Sequence, residues 1–378
     1  MDRSGPGRVQ GRERERERYG KPVAVAAGGL AVVIAVLVST VLSVSGSGTH
    51  EHERGRGGDG TGVGVQDGTG TGPGTGDGTG GGVGPGTSQV RSAAAPEPET
   101  CEDGEDPAES LRPSGKAGEA VERIRKRDRL IVGVDQNSYL WGFRDPSTGK
   151  IDGFDIDLVR ALAEDLLGED PEITYKTIPT DQRIPAIQKG EVDMVVRTMT
   201  VNCERIREVA FSTAYFEAGQ QLLVPKENAR VKGFDASMRG KRLCFADGST
   251  AQALMEKGKY KALGAKSVVV PNQLDCLVRM QLGKADATLT DSALGAGQAA
   301  QDPSVELIGD PETIEPYGIA MNLEDEDLVR WVNKRLDAYR SGGDDSEWRR
   351  SYDKWFADDI MSAADGKDPA PPEPKYRD

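Results

Sequence analysis

Apolar and polar positions divide the chain into regions of different kind. From Val23 to Val44 no residue is charged, and a helix of that length, at about 1.5 Å per residue, reaches roughly 33 Å, the depth of a bilayer's hydrocarbon layer. Seven Lys or Arg against four acids lie in residues 1–22, the cytoplasmic flank expected of the positive-inside rule. The run at 23–44 reads as a transmembrane anchor, with cleavage as a signal segment after small residues such as Ser43-Val44-Ser45 as the other reading. Residues 45–100 are dominated by Gly, Thr, Ser and Asp, which bury too little apolar surface to offset chain entropy. As a Gly-rich coil of about 55 residues, this linker has a root-mean-square reach of roughly 40 Å.

Beyond the linker, short β-type apolar runs alternate with helical patterns. Leu130–Val134, Ile173–Thr177, Val192–Arg197, Arg242–Ala246, Val268–Val270, Ala287–Thr290 and Gly318–Met321 are expected as strands. Helices are expected at Ala117–Arg129, Phe154–Leu167, Arg183–Lys189, Thr250–Lys257, Leu274–Leu282, Ser292–Ala300 and Asp327–Tyr339, with a helical turn at Cys203–Glu208. The βαβα order predicts an α/β architecture with ligand sites at the C-terminal ends of strands. The tail at 361–378 is Pro-rich and charged, and is expected to be extended and outside the core.

The formal net charge of −14, with both signs interspersed, leaves no cationic face for phosphates, so nucleic acid is not expected as a partner. The two histidines lie in the linker, and Cys101, Cys203, Cys244 and Cys276 form no CxxC pair. A metal site is not expected; two disulfides in an oxidising compartment are.

Candidate chemistry gathers where strands end. In Thr198-Met199-Thr200-Val201-Asn202-Cys203-Glu204-Arg205 the chain leaves a strand, sets two hydroxyls two residues apart and enters a helical turn ending in a guanidinium. Hydroxyls, helix N–H groups and arginine together suit a carboxylate. On spacing alone, Arg205 paired with Glu204 or Glu208 on a solvated helix is equally compatible. Asp291 follows the run Ala287–Thr290 and precedes a small-residue helix, a position for receiving an ammonium or for capping that helix. Gly248 lets backbone approach a ligand, and Ser249 or Thr250 can cap a helix while donating to a carboxylate. Tyr139 and Trp141, just past the first strand, can cover an aliphatic stem, whereas Phe143 reads as core.

The motifs LIVGVDQNSYLWGF, GFDIDLVRALAEDL, RIPAIQKGEVDMVVRTMTVNCERIREVAFSTAYF, GKRLCFADGSTAQ, GKADATLTDSALGAG and EPYGIAMN occur in this order. Across Leu111 to Phe356 the chain resembles the family 3 extracellular solute-binding proteins of ABC-type amino-acid importers. It is most similar to the glutamate/aspartate binders and to a Gram-positive branch with the CERxxxVxFSTxYF and DCLV signatures. The resemblance implies a type II periplasmic-binding-protein-like fold, with two α/β lobes on two hinge strands and the ligand between them. Lobe 1 is then 101–223 and 315–360, lobe 2 is 224–314, and the crossings fall near Leu222–Pro225 and Glu315–Tyr317. It also implies that Arg205 takes the α-carboxylate, Asp291 the α-ammonium and Arg183 a distal carboxylate, against the plainer reading of Arg183 as a surface residue near Asp181. Asp135 stands where such binders carry another basic ligand contact.

With the lobes so drawn, Cys244 and Cys276 share lobe 2 and are expected to pair, leaving Cys101 for Cys203; four cysteines allow three pairings. The implied function is an extracytoplasmic, membrane-tethered binding protein that delivers glutamate or aspartate to an ABC permease. The alternative is an amino-acid sensor acting through a membrane partner on a kinase, as in members of the branch it resembles. The two-lobed fold also hosts dehydratases and lyases, for which Asp135 and Glu217 would be the acids. Neither has a His, Cys or second carboxylate at diagnostic spacing, and no HExxH, GxSxG or P-loop pattern occurs, so no enzyme and no cofactor are expected.

Overall fold

The computed structural model describes residues 96–356 and 370–378. The expected anchor at 23–44, most of the linker and the first part of the tail lie outside the described residues.

Leu130–Val134 is apolar at every position but Gly133, and all of it but the half-exposed Ile131 is buried, as in a strand covered on both faces. It pairs in parallel with Ile173–Thr177, in register from Leu130 opposite Ile173 to Val134 opposite Thr177, and with Met194–Val195 on its other side. Ala320–Met321 and Ala210–Phe211 complete this first sheet in antiparallel sense. The second sheet repeats the plan. Lys266–Val270, Arg242–Ala246 and Ala287–Asp291 run parallel, and Gln220–Pro225 and Val305–Ile308 close it antiparallel.

Helices cover the faces. Phe154–Leu167 buries nine of its residues, and Gly168 follows with a positive φ that ends it. Glu119–Arg127 has acids in its first turn and basic residues in its last, matching the helix dipole, and buries Ala120, Val121 and Ile124. The core of the first lobe is aromatic: Trp141, Phe154, Phe216, Tyr317 and Phe356 meet with ring centroids 4.7 to 6.0 Å apart. The second lobe has a smaller core around Leu222, Val224, Leu243, Phe245 and Leu289. Cys244 and Cys276 are bridged within it, and Cys101 is bridged to Cys203 on the first lobe, the pairing expected.

The two lobes are joined by Phe216–Ala218 and Glu315–Tyr317, which pair as a two-stranded antiparallel ribbon. Gly219 follows the first of these, where a Cβ would lie 2.0 Å from the Thr313 carbonyl oxygen, so only glycine lets the crossings approach so closely. The first crossing thus precedes the expected one. Leu222–Pro225 lies inside Gln220–Pro225, which pairs along the second sheet, because its alternate residues are needed to fill that lobe's core.

Other expectations shift as well. The strand expected over Val192–Arg197 shortens to Met194–Val195, and Glu347–Phe356 is an additional helix packed through Trp348, Tyr352 and Phe356. The end of the tail docks on the first lobe. Ser110 N–H donates to the Lys375 carbonyl and Arg377 N–H to the Ser110 carbonyl, each at 3.0 Å. Tyr376 Oη donates to Asp337 Oδ1 at 2.7 Å, and Lys375 and Arg377 pair with Asp106 and Glu105. Complementary charge holds an extended segment that apolar content alone would leave free. Among the described residues, no helix is long and apolar enough to cross a membrane.

Candidate functional site

The site forms where strands of both sheets end. After Met194–Val195 the chain turns at Thr198, whose φ of 39° is the left-handed region a β-branched residue rarely enters. Its N–H donates to Asp155 Oδ2 at 3.0 Å, and Tyr215 Oη donates to Asp155 Oδ1 at 2.8 Å. Burial pushes the Asp155 carboxyl up to about 7. Beyond Thr198, Thr200 bridges to Tyr317 of the return crossing, and a single turn of 3-10 helix, Arg205–Arg207, presents Arg205.

Arg205 and Arg183 supply the positive side. Arg205 is 7 % exposed, and its Nη1 donates to the Thr200 carbonyl at 2.8 Å while Nη2 reaches across to the Gly248 carbonyl at 3.1 Å. Arg183 is 4 % exposed, so it is no surface residue. Its Nε donates to the Thr180 carbonyl at 2.8 Å, and Nη2 lies 3.5 Å from the same Gly248 oxygen. Among the described residues neither arginine is in an ion pair. Burial lowers both guanidinium pKa values from the ordinary arginine range, with Arg205 and Arg197 adding to the effect on Arg183.

Carboxylates sit opposite. Asp291 occupies the cap position of Ser292–Gln301 but makes no side-chain cap bond. It accepts instead from Gln220 Nε2 and, at 2.7 Å, from Tyr317 Oη. Burial first, and the charge of Glu315 second, push its carboxyl up to about 7. Glu315, 4 % exposed on the return crossing, accepts from Thr200 Oγ1 and Thr250 Oγ1 at 2.7 Å each, both on Oε2, and from Thr313 Oγ1 at 3.1 Å on Oε1. Ser249 caps Thr250–Glu256 by accepting from Gln252 N–H, and its hydroxyl donates to the Ala246 carbonyl at 2.6 Å.

Arg183, Thr198, Thr200, Arg205, Ser249, Thr250 and Asp291 line one inner pocket of about 10 Å³, which is room for about one water. Outside it a cleft of about 450 Å³ opens between Arg183 and Arg205 of the first lobe and Gly248 to Thr250 of the second. The lobes are in contact here. Arg197 Nη2 donates to Asn272 Oδ1 at 3.1 Å, and Trp141 Nε1 donates to the Ala293 carbonyl at 3.2 Å.

Tyr139 and Trp141 do not join this pocket. Trp141 is 1 % exposed inside the aromatic core, and Tyr139 packs edge-on against the half-buried Phe143. Four other rings around the indole satisfy it as packing, which corrects its reading as a cover for the ligand stem. Asp135 is engaged by Arg197 at 3.0 Å and by Ser138 Oγ at 2.7 Å, so it is no free acid, and Glu217 is exposed on the crossing ribbon. Gln220, Glu315 and Tyr317 bond to residues that line the pocket, and Arg197 bonds to Asp135 and Asn272 beside it; the pattern of the sequence does not single these four out, although EPYGIAMN contains two of them.

The family described as bacterial extracellular solute-binding proteins, family 3, matches residues 130–358. The chain is 35% identical over 236 residues to the ABC transporter glutamine-binding protein GlnH of Bacillus subtilis, covering 62% of this chain and 84% of that protein. It is 27% identical over 252 residues to the glutamate/aspartate import solute-binding protein of Salmonella typhimurium, covering 65% and 82%. Among solved structures, a mutant of the arginine-binding protein ArgBP of T. maritima is similar with a TM-score of 0.58 and 30% identity, over 64% of this chain and all of that one. An ancestral amino-acid-binding protein, a precursor of cyclohexadienyl dehydratase, is similar with a TM-score of 0.56 and 32% identity, over 63% and 100%. The fold is thus the type II periplasmic-binding-protein-like one, and this chain belongs to the family 3 bacterial extracellular solute-binding proteins.

Proposed function

We propose that this amino-acid-binding protein takes an acidic amino acid, glutamate or aspartate, between its lobes and presents it to an ABC permease outside the membrane. The observation that carries the reading is the pair Arg183 and Arg205, both buried, both aimed at one point beside Gly248 and neither in an ion pair among the described residues. Two desolvated cations favour a ligand with two carboxylates. Arg205 takes the α-carboxylate and Arg183 the distal one, while Asp291 receives the ammonium. A glutamine ligand would leave Arg183 without a counterion.

Names of relatives support both readings of the side chain, since one is a glutamine binder and another a glutamate/aspartate binder. The second arginine favours the acid. An amino acid needs far more room than about 10 Å³, so the lobes part to admit it and close on it. The engagement of Asp135 by Arg197 supports capture without turnover. The N-terminal apolar run would serve as the tether in this reading.

Calorimetry with glutamate, aspartate, glutamine, asparagine and arginine tests it. Glutamate or aspartate is expected to bind at least tenfold tighter than its amide. A preference for glutamine or arginine would end the acidic-ligand reading.

A further inference from the structure

A hydroxyl has one proton to donate, and a carboxylate only accepts. Thr200 Oγ1, from the first lobe, and Thr250 Oγ1, from the second, both lie 2.7 Å from the same oxygen, Oε2 of Glu315. Both protons are therefore spent on Glu315. Thr250 Oγ1 also accepts from Gln220 Nε2 at 3.0 Å. What these residues turn to the inner pocket they line with Asp291 is lone-pair density. Read from the sequence alone, the same hydroxyls were donors to a carboxylate; the geometry reverses their polarity.

We infer that Glu315 is a positioning residue that fixes Thr200 and Thr250 as hydrogen-bond acceptors, and that it thereby makes the site demand an ammonium on the ligand. The inference rests on the amino-acid reading above and deepens it. Asp291 supplies the charge for the ammonium and Thr200 a neutral acceptor beside it, while a keto or hydroxy acid of the same skeleton brings no three-proton donor to match them. A buried acceptor left without a donor is penalised, so discrimination against the keto acid follows from Glu315 without its touching the ligand. The charge of Glu315 is felt in the site, since it helps raise the Asp291 carboxyl. The acceptor count, however, depends on its oxygen and not on its charge.

The test compares L-glutamate with 2-oxoglutarate, which differ at the amino position, by calorimetry on the full chain and its E315L and E315Q variants. Leu removes the acceptor; Gln keeps a carbonyl oxygen that can take both hydroxyl protons while removing the charge. In the parent chain glutamate should bind at least tenfold tighter than 2-oxoglutarate. E315L should reduce that ratio at least tenfold, mainly by weakening glutamate, and E315Q should retain most of it. Equal losses for both ligands in E315L would show a merely structural role and overturn the inference. A collapse in E315Q as large as in E315L would assign the effect to charge and overturn it too. A second readout needs no ligand: the hydroxyl protons of Thr200 and Thr250 should give slowly exchanging NMR signals that vanish in E315L. Their absence from the parent chain would refute the inference even where glutamate binds. Their presence in a chain that binds no amino acid would uphold the hydroxyl polarity and fail the ligand reading alone.

Discussion

Arg205 and Gly248 lie on different lobes, and the guanidinium of one donates to the carbonyl of the other at 3.1 Å across the cleft. This bond exists only while the lobes are together, so it biases the protein toward closure without being strong enough to dictate it. Because Arg183 addresses the same oxygen, the carbonyl marks the point where both cations converge.

Arg205→Ala is expected to weaken glutamate binding at least about thirtyfold, from the loss of a charge-assisted contact to a desolvated carboxylate. Circular dichroism should show an unchanged fold. Near-parent affinity in calorimetry would remove Arg205 from the ligand site.

Arg183→Met keeps most of the buried stem and removes the charge. Glutamate should lose at least tenfold in affinity and glutamine much less, since only the acid loses an ionic partner. Parallel losses for the two ligands would place Arg183 outside the side-chain subsite.

The pH dependence has a defined sign. Asp155 and Asp291 are raised in the folded chain from 3.8 to about 7, so between these values the folded state holds more protons than the unfolded one. Their contribution to stability is fullest below about pH 4 and is lost as pH rises toward about 7. An ammonium ligand favours ionised Asp291, so glutamate affinity should rise between about pH 5.5 and 7.5, at most about tenfold per unit, and then level off. Asp291→Asn should flatten the curve as well as weaken binding. A pH-independent affinity in the parent chain would separate Asp291 from the ammonium.

Much of this was legible locally. Phe154–Leu167 has the bounds its periodicity predicts, Arg205 opens a helical turn as short-range pattern suggests, and Asp291 stands at a strand end. Glu315 was not legible, because the two hydroxyls that share its Oε2 lie 65 and 115 positions away and no spacing in the chain encodes them. Trp141 was misplaced for a related reason. An aromatic past a strand suits a cleft or a core, and only Phe216, Tyr317 and Phe356, distant in sequence, decide for the core. The helix Glu347–Phe356 had a readable signal in its rings at 348, 352 and 356, spaced by one helical turn.

Lobe closure has its own measurement. Small-angle scattering of the domain from Cys101 onward should give a smaller radius of gyration with saturating glutamate than without. Confirmed binding with an unchanged profile would favour a rigid pocket over a clamp.

The bridge from Cys101 to Cys203 gives the molecule a mechanical character of its own. Around it, Glu99 accepts from the Cys203 N–H at 3.3 Å and Asp103 pairs with Arg207 at 2.7 Å, so residues 99–103 are riveted to the loop that carries Arg205. Tension applied to the chain at Cys101 would be delivered through a covalent bond to a point two residues from Arg205. It bypasses the 28 positions between Cys101 and the first strand at Leu130. In the tethered amino-acid binder proposed above, the place where the domain is held is also the place where it grips.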